Sequence, residues 1–375
     1  MTKTKQSVLS LNHISFNLTC THLSNNLLLV KKTIAYADST VVLGLKIDDS
    51  LIFNKHANLK LKQVWYSWYK LTRNSRRHHG LNISSMVILF KTIIIPKLMY
   101  AAPVWFQGHN QKKFKDFFAR VCLKISGSTH YAPQTLSMLA MGLDPLCLLY
   151  KLICTKFLLK SLSSDNTMRA VVLQLEESKC HDFHHQITFI KEYLTSKDPS
   201  LLFRKGRTLY NLSQISSEHL IYSKQNIEKL KQDLWQDYIS SKADAKSKTV
   251  LGISDLDKNA DCYQFESSNI SKELFPRSSK RYTDTKVMSL LHGHDFCFNN
   301  FSYKSGNGTS PFCDKCTRKF DTNLHQLLEC HKYNCGYRDI LTNKTSEHNK
   351  FIWMFLTNSS PEEIQSFRNM AQIIV

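Results

Sequence analysis

Acid is what this sequence has little of: Asp and Glu number 30 against 50 Lys and Arg, a formal charge of +20 over 375 residues. The shortage is local. Across residues 53–124 the single acid is Asp116, facing 14 Lys and Arg, so that segment carries +13 of the total. Such a concentration points to a polyanionic partner, nucleic acid or an acidic membrane surface, rather than to a merely basic chain. A long apolar run is also missing. Residues 86–90 and 93–95 come nearest, but Lys91 interrupts them and they are too short to span a bilayer, so no membrane partner is expected. No internal repeat is present. No secretory signal leads the chain, since Met1-Thr2-Lys3-Thr4-Lys5 opens a polar, mixed stretch. The expectation is an intracellular protein, nuclear or cytoplasmic, whose eleven cysteines are reduced thiols and any cluster of them a metal site.

What is there is mostly helical periodicity. A hydrophobic share of 42% with 11% aromatics describes a folded chain. Residues 8–11, 27–30 and 33–36 read as short strands divided by Asn and Ser. From His56 the period becomes helical: Leu61, Val64, Trp65, Trp68 and Leu71 form one apolar face, with Lys62, Lys70 and Arg73 on the rest. Gly80 is expected to stop that helix. Ser84 or Ser85 is expected to cap the next, whose apolar positions are Met86, Leu89, Phe90, Ile93 and Ile94, with Pro96 kinking or ending it. A third helix after Asn110 aligns Phe114, Phe117, Phe118, Val121, Cys122 and Ile125, shows Lys113, Arg120 and Lys124 elsewhere, and ends at Gly127. Asp144-Pro145 opens a helix over residues 146–162 that is apolar nearly all round. Residues 161–166 read as a linker, 167–240 as further helices, and 240–269 as a polar loop or connector.

Several positions fall on a recognisable order. Leu43, Gly44, Asp48, Leu51, Phe53, His56, Gly80, Leu81, Pro96, Tyr100 and Trp105, followed by Gly127, Pro133 and residues 142–146, match a Leu-Gly-x-x-x-Asp strand, a Leu-x-Phe-x-x-His step, a Gly-Leu break and a Pro-x-x-x-Tyr-(Gly/Ala)-x-x-x-Trp segment. This resembles the region after the catalytic palm in reverse transcriptases of jockey-like non-LTR retrotransposons, over about the first 160 residues. The resemblance implies a mainly α fold: palm-edge strands at 1–52, a thumb-like helical bundle at 53–162, a helical connector at 163–270, a small zinc-binding module at 271–340 and a C-terminal helix at 341–375. It also implies that Lys3-Thr4 is the element just after the catalytic hairpin.

The parent activity, RNA-directed DNA polymerisation, needs two or three carboxylates around two metal ions about 4 Å apart. Tyr36-Ala37-Asp38 imitates the palm hairpin, but Ser39 stands where the second Asp belongs. Asp48-Asp49 is a true pair, yet neighbouring strand side chains face opposite ways, and the resemblance makes Asp48 structural. No catalytic residue is assigned, and Arg281 to Thr285 lacks the context of a ribonuclease H site. The thumb resemblance makes Lys62, Lys70, Arg73, Arg76, Arg77, Lys112, Lys113, Arg120 and Lys124 candidate contacts to a template–primer of RNA and DNA. Exposed aromatics would stack on unpaired bases, whereas Trp65 and Trp68 are assigned to the core.

Near the C-terminus stand Cys313, Cys316, His325 and Cys330, spaced C-x2-C-x8-H-x4-C. Three thiolates and one imidazole complete a tetrahedral zinc shell. A short helix over 322–329 would present His325. Cys330, five residues on, must lie where that helix unwinds, and His331 and Cys335 are rivals for the fourth place. The bland alternative is buried free cysteines. The flanks, Leu290-x-x-Gly293-His294 before and His325-x-Leu327-x-x-Cys330-x-x-Tyr333 after, resemble the same retrotransposon polyproteins, with His294 taken as a core histidine. Two other functional readings stay open: a zinc-stabilised protein-interaction module, and a decayed element without function.

Overall fold

The computed structural model describes residues 17–18, 32–33, 39–48, 53–76, 79–106, 108–162, 170, 174, 227–243, 245–251, 267–293, 297–316, 318–333, 338, 340–341, 352, 355–356 and 359–375. Those residues are mainly helical, with two small antiparallel sheets of two strands each. The runs expected as strands at 8–11 and 27–30, together with Arg77, Asp38, Asp49, His294 and Cys335, lie outside them. The chain divides into two compact units, Met1–Lys62 and Gln63–Val375.

In the first unit β1 (Asn17–Leu18) pairs with β2 (Lys32–Thr33), and β3 (Ser39–Val42) with β4 (Leu45–Asp48). Leu43-Gly44, expected at the start of a strand, instead forms the two-residue turn, with φ of 48° and 83°. Both central residues of that hairpin geometry need positive φ, which glycine adopts without strain. Asp48 ends β4 buried, and its carboxylate accepts the Phe53 N–H at 3.3 Å. His56, in the first turns of α1 (Asn54–Thr72), accepts the Lys46 N–H on Nδ1 at 3.0 Å. Burial, aided by Lys60, lowers its pKa to about 4, so it is a neutral latch between strand and helix.

The second unit is built on buried aromatics. Val64 and Trp68 of α1 are buried, Trp65 meets Phe117 edge-on at 4.8 Å, and Trp68 meets Phe90 at 5.6 Å, so both tryptophans serve the core. α1 ends at Thr72, well before Gly80. That glycine, at φ 101°, lies in the following loop, where an added Cβ would come within 2.8 Å of the Ser75 Cα. Close backbone approach, not helix termination, requires it there. Asn82, rather than Ser84 or Ser85, caps α2 (Ile83–Leu89): its side chain accepts the Ser85 N–H at 2.8 Å and donates to the Arg277 and Ser279 carbonyls.

Pro96 does not end the helix. A π turn over Phe90–Ile94 follows α2, and the chain then re-enters α3 (Ile95–Met99) with Pro96 inside its first turn. The Ile95 N–H reaches back to the Phe90 carbonyl, and the extra residue in the turn leaves Ile93 exposed while Phe90, Ile94 and Leu98 stay buried. Ala101 then adopts φ 53°, which turns the chain into α4 (Ala102–Trp105) and lets the Trp105 indole donate to the Tyr100 carbonyl at 2.8 Å. A small side chain suits that left-handed position.

α5 (Gly108–Ser126) buries Phe114, Phe117, Phe118, Val121, Cys122 and Ile125 as its spacing predicts, and Gly127 follows it at φ 69°. α6 (Gln134–Met141) is almost wholly buried, and α7 (Leu146–Leu162) exposes only part of its surface, Phe157 among it. No single described helix is long and apolar enough to cross a membrane; α6 and Leu146–Leu158 qualify only as a pair, bent by 52°. Part of the stretch expected as a polar loop is the helix Ala245–Leu251. Packing overrides composition here, because the buried Ser247 hydroxyl accepts the Leu136 N–H at 3.1 Å in the first turn of α6.

The helix Arg281–His292 is the hub of this unit. Arg281 donates to the Ile125 and Lys124 carbonyls at the end of α5, and Asp284 accepts the Ile83 N–H at 2.9 Å at the start of α2. Its far end meets Ser128 through His292 at 2.9 Å. The final helix, Pro361–Ile374, opens with a Ser360–Glu363 capping box and packs along the same hub, with Phe367 stacked on Phe355 at 4.4 Å.

Candidate metal centre and basic surface

Two short arms meet around the cysteines. Phe312 and Phe320 bridge as an antiparallel pair with rings stacked at 5.1 Å, and the Cys313 N–H donates to the Lys319 carbonyl at 2.9 Å. Between them the chain turns tightly, the Lys319 N–H returning to the Cys316 carbonyl at 2.9 Å, so Cys313 and Cys316 come to one side. The opposite wall begins at Asn323, whose amide donates to the Leu290 and Leu291 carbonyls at the end of the hub helix. Gly293 must be glycine there: it stands at φ 64°, and a Cβ would meet the Asn323 side chain at 2.5 Å.

A π turn over His325–Glu329 solves the five-residue problem. In an α-helix positions i and i+5 diverge, but here the Cys330 N–H closes on the His325 carbonyl at 2.8 Å and Cys330 itself is extended. The wider turn carries His325 and Cys330 toward the same side, and the helix unwinds at Cys330 as expected. Arg338 fixes that end from beneath, donating to the carbonyls of Gln326, Leu327 and Cys330, the last at 2.7 Å.

The result is a cluster in which ligand atoms of Cys313, Cys316, His325 and Cys330 all lie within 4.8 Å of one another, and which could hold a metal ion. The Cys330 sulfur is 3.7 Å from that of Cys313 and 3.8 Å from that of Cys316, far beyond a disulfide bond of about 2 Å. Nε2 of His325 is buried with no hydrogen-bond partner among the described residues, while Nδ1 lies 3.3 Å from the Glu329 carboxylate. Glu329 therefore favours the tautomer whose Nε2 lone pair is free for a cation. The His331 N–H lowers the Cys316 pKa. Burial pushes the Cys330 thiol up to about 11, partly opposed by the Lys332 N–H. A cation in the centre reverses that burial penalty by favouring the thiolate. His331, a rival fourth ligand, is exposed and outside the cluster. Sequence reasoning missed Glu329 and Asn323; the i,i+4 relation of His325 to Glu329 was the available signal.

The basic candidates fall into two sorts. Lys62, Lys70, Arg73, Arg76, Lys112 and Arg120 are exposed, and Lys113 is half-buried. Lys124 also reaches solvent, but its ammonium donates to the Ser75 carbonyl, and burial with Arg281 nearby lowers its pKa.

Against known families, curated proteins and solved structures the chain matches nothing.

Proposed function

We propose that this chain is the part of a non-LTR retrotransposon reverse transcriptase that follows the catalytic palm, and that it holds a template–primer of RNA and DNA without itself polymerising. The observation that carries the binding reading is the outer surface of the bundle. Lys70, Arg73, Arg76, Lys112 and Arg120 project from it with no ion-pair partner among the described residues, in a segment with one acid. Cations left unneutralised in that density contact phosphates without regard to base sequence. The ordered motif from Leu43 to Trp105 supplies the polymerase part of the reading.

The metal is zinc, in a structural role. Zinc–sulfur bonds of about 2.3 Å at tetrahedral angles set sulfurs about 3.8 Å apart, which the 3.7 and 3.8 Å separations of Cys330 from its partners match. Four protein ligands leave no open position for substrate, so the ion orders the hairpin and takes no part in a reaction.

Binding of labelled RNA–DNA duplex to the full chain, titrated with salt, tests the reading. Affinity should fall steeply with salt, and each of Lys112→Glu and Arg120→Glu should reduce the log–log slope by about one. Affinity that stays flat between low and high salt overturns it and favours a protein-interaction role.

A further inference from the structure

The outer face of α1 carries rings as well as charge. Tyr66, Tyr69 and Lys70 in its last two turns and Arg73 just past its end are exposed, the two tyrosines by 70% each. Spacings of three, four and seven residues put Tyr66, Tyr69 and Arg73 on one stripe, away from buried Val64 and Trp68. The bundle's buried rings lock into one another, as Trp105 does with Phe114 at 5.6 Å and Phe90 with Phe118 at 5.4 Å. Tyr66 and Tyr69 do not: neither makes a hydrogen bond or ring contact with any described residue. Their attachment points are separated by about 4.5 Å along the helix axis, and both side chains are mostly exposed. The helix beneath is braced, with the Lys97 ammonium donating to the Ser67 hydroxyl at 2.7 Å.

We propose that this stripe is a stacking platform for unpaired bases, so that the bundle binds single-stranded nucleic acid there, with Lys70 and Arg73 on the phosphates. The proposal rests on the nucleic-acid reading above and narrows it. Charge selects the polyanion: the surrounding segment sets 14 cations against Asp116 alone. The rings select the strand state. In a duplex each base face is covered by its neighbours, whereas a splayed single strand offers faces to aromatic side chains. The two phenols stand beside Lys70 and Arg73, so one stripe offers ring faces for bases and cations for the phosphates that join them.

The test uses the full chain with a fluorescent oligothymidylate and a duplex of the same length, each titrated at several salt concentrations. Combining Tyr66→Ala with Tyr69→Ala should weaken single-strand binding by roughly 5- to 150-fold per ring. Duplex affinity should stay within about twofold, and the paired Tyr→Phe variant within about twofold on both ligands. Both side chains are exposed, so circular dichroism of the variants should match the parent. An equal loss on both ligands, or parental single-strand affinity in the alanine pair, overturns the platform. Salt-sensitive binding that survives the alanine pair overturns the platform alone. Failure of the parent chain to bind either ligand overturns the nucleic-acid reading as well.

Discussion

Two of the buried polar clusters among the described residues of the second unit differ in what their polar groups face. In the junction around the hub helix, every charged group faces protein. Arg281 serves two carbonyls of α5, Arg368 serves the Leu274 carbonyl and the Ser279 hydroxyl, and Asp284 receives the Ile83 N–H with Arg368 at 3.9 Å. Burial raises the Asp284 pKa despite both arginines. In the cysteine cluster the polar atoms face one another: sulfur against sulfur, and an imidazole nitrogen with no hydrogen-bond partner among the described residues. Burial and charge alone therefore do not mark a site, since the junction has more of both. What marks it is a set of soft donors converging on a common centre that the protein leaves for something else.

The largest effect should come from removing that something else. Apparent zinc affinities of small fingers correspond to about 10–16 kcal/mol, far more than a five-residue turn can supply by itself. Chelation, or Cys313→Ser or Cys330→Ser, should therefore disorder the hairpin while the junction stays folded, and Cys335→Ser should keep the metal. Metal analysis of the purified chain and its variants reads this directly; a Cys313→Ser chain with full zinc content would erase the contrast between the clusters. Next comes the junction. Arg281→Met strands two carbonyls and uncouples Asp284, and breaking a buried charged contact of this kind costs about 3–5 kcal/mol. Urea unfolding measures it, and a loss below about 1 kcal/mol would mean that the junction's partners matter no more than ordinary hydrogen bonds.

The smallest effect belongs to a third buried polar group, the His56 latch of the first unit. Its folded pKa of about 4 lies below the ordinary 6.5, so between those values the unfolded chain binds more protons than the folded one. Stability is then fully present above pH 6.5 and falls as pH drops toward 4, by about 3 kcal/mol at most. An NMR titration placing the imidazole near 6.5 would show that the latch is not closed.

How far these features could be read beforehand follows from their physics. The Phe114-to-Ile125 face of α5 was legible because six apolar residues at helical spacing permit little else. The four residues that could hold a metal ion were legible from spacing, since sulfur and imidazole have few other reasons to converge. The caps were not. Asn82 outranks Ser84 and Ser85 only because Arg277 and Ser279, nearly 200 residues on, receive its amide. The helix Ala245–Leu251 was hidden for the same reason: a polar segment becomes a helix when another helix needs its serine. Tertiary partners, absent from any local window, decided both.

The π turn at Phe90–Ile94 has a consequence best stated as an insertion. A chain shorter by one residue among Lys91, Thr92 and Ile93, all exposed, would still place Phe90 and Ile94 on one face, at a spacing of three rather than four. It would also set Pro96 in an unbroken α-helix, its ring against the carbonyl four residues back. The supernumerary residue is thus a permit for proline: it costs the helix one regular turn and lets a rigid imino acid sit in the middle of a core element.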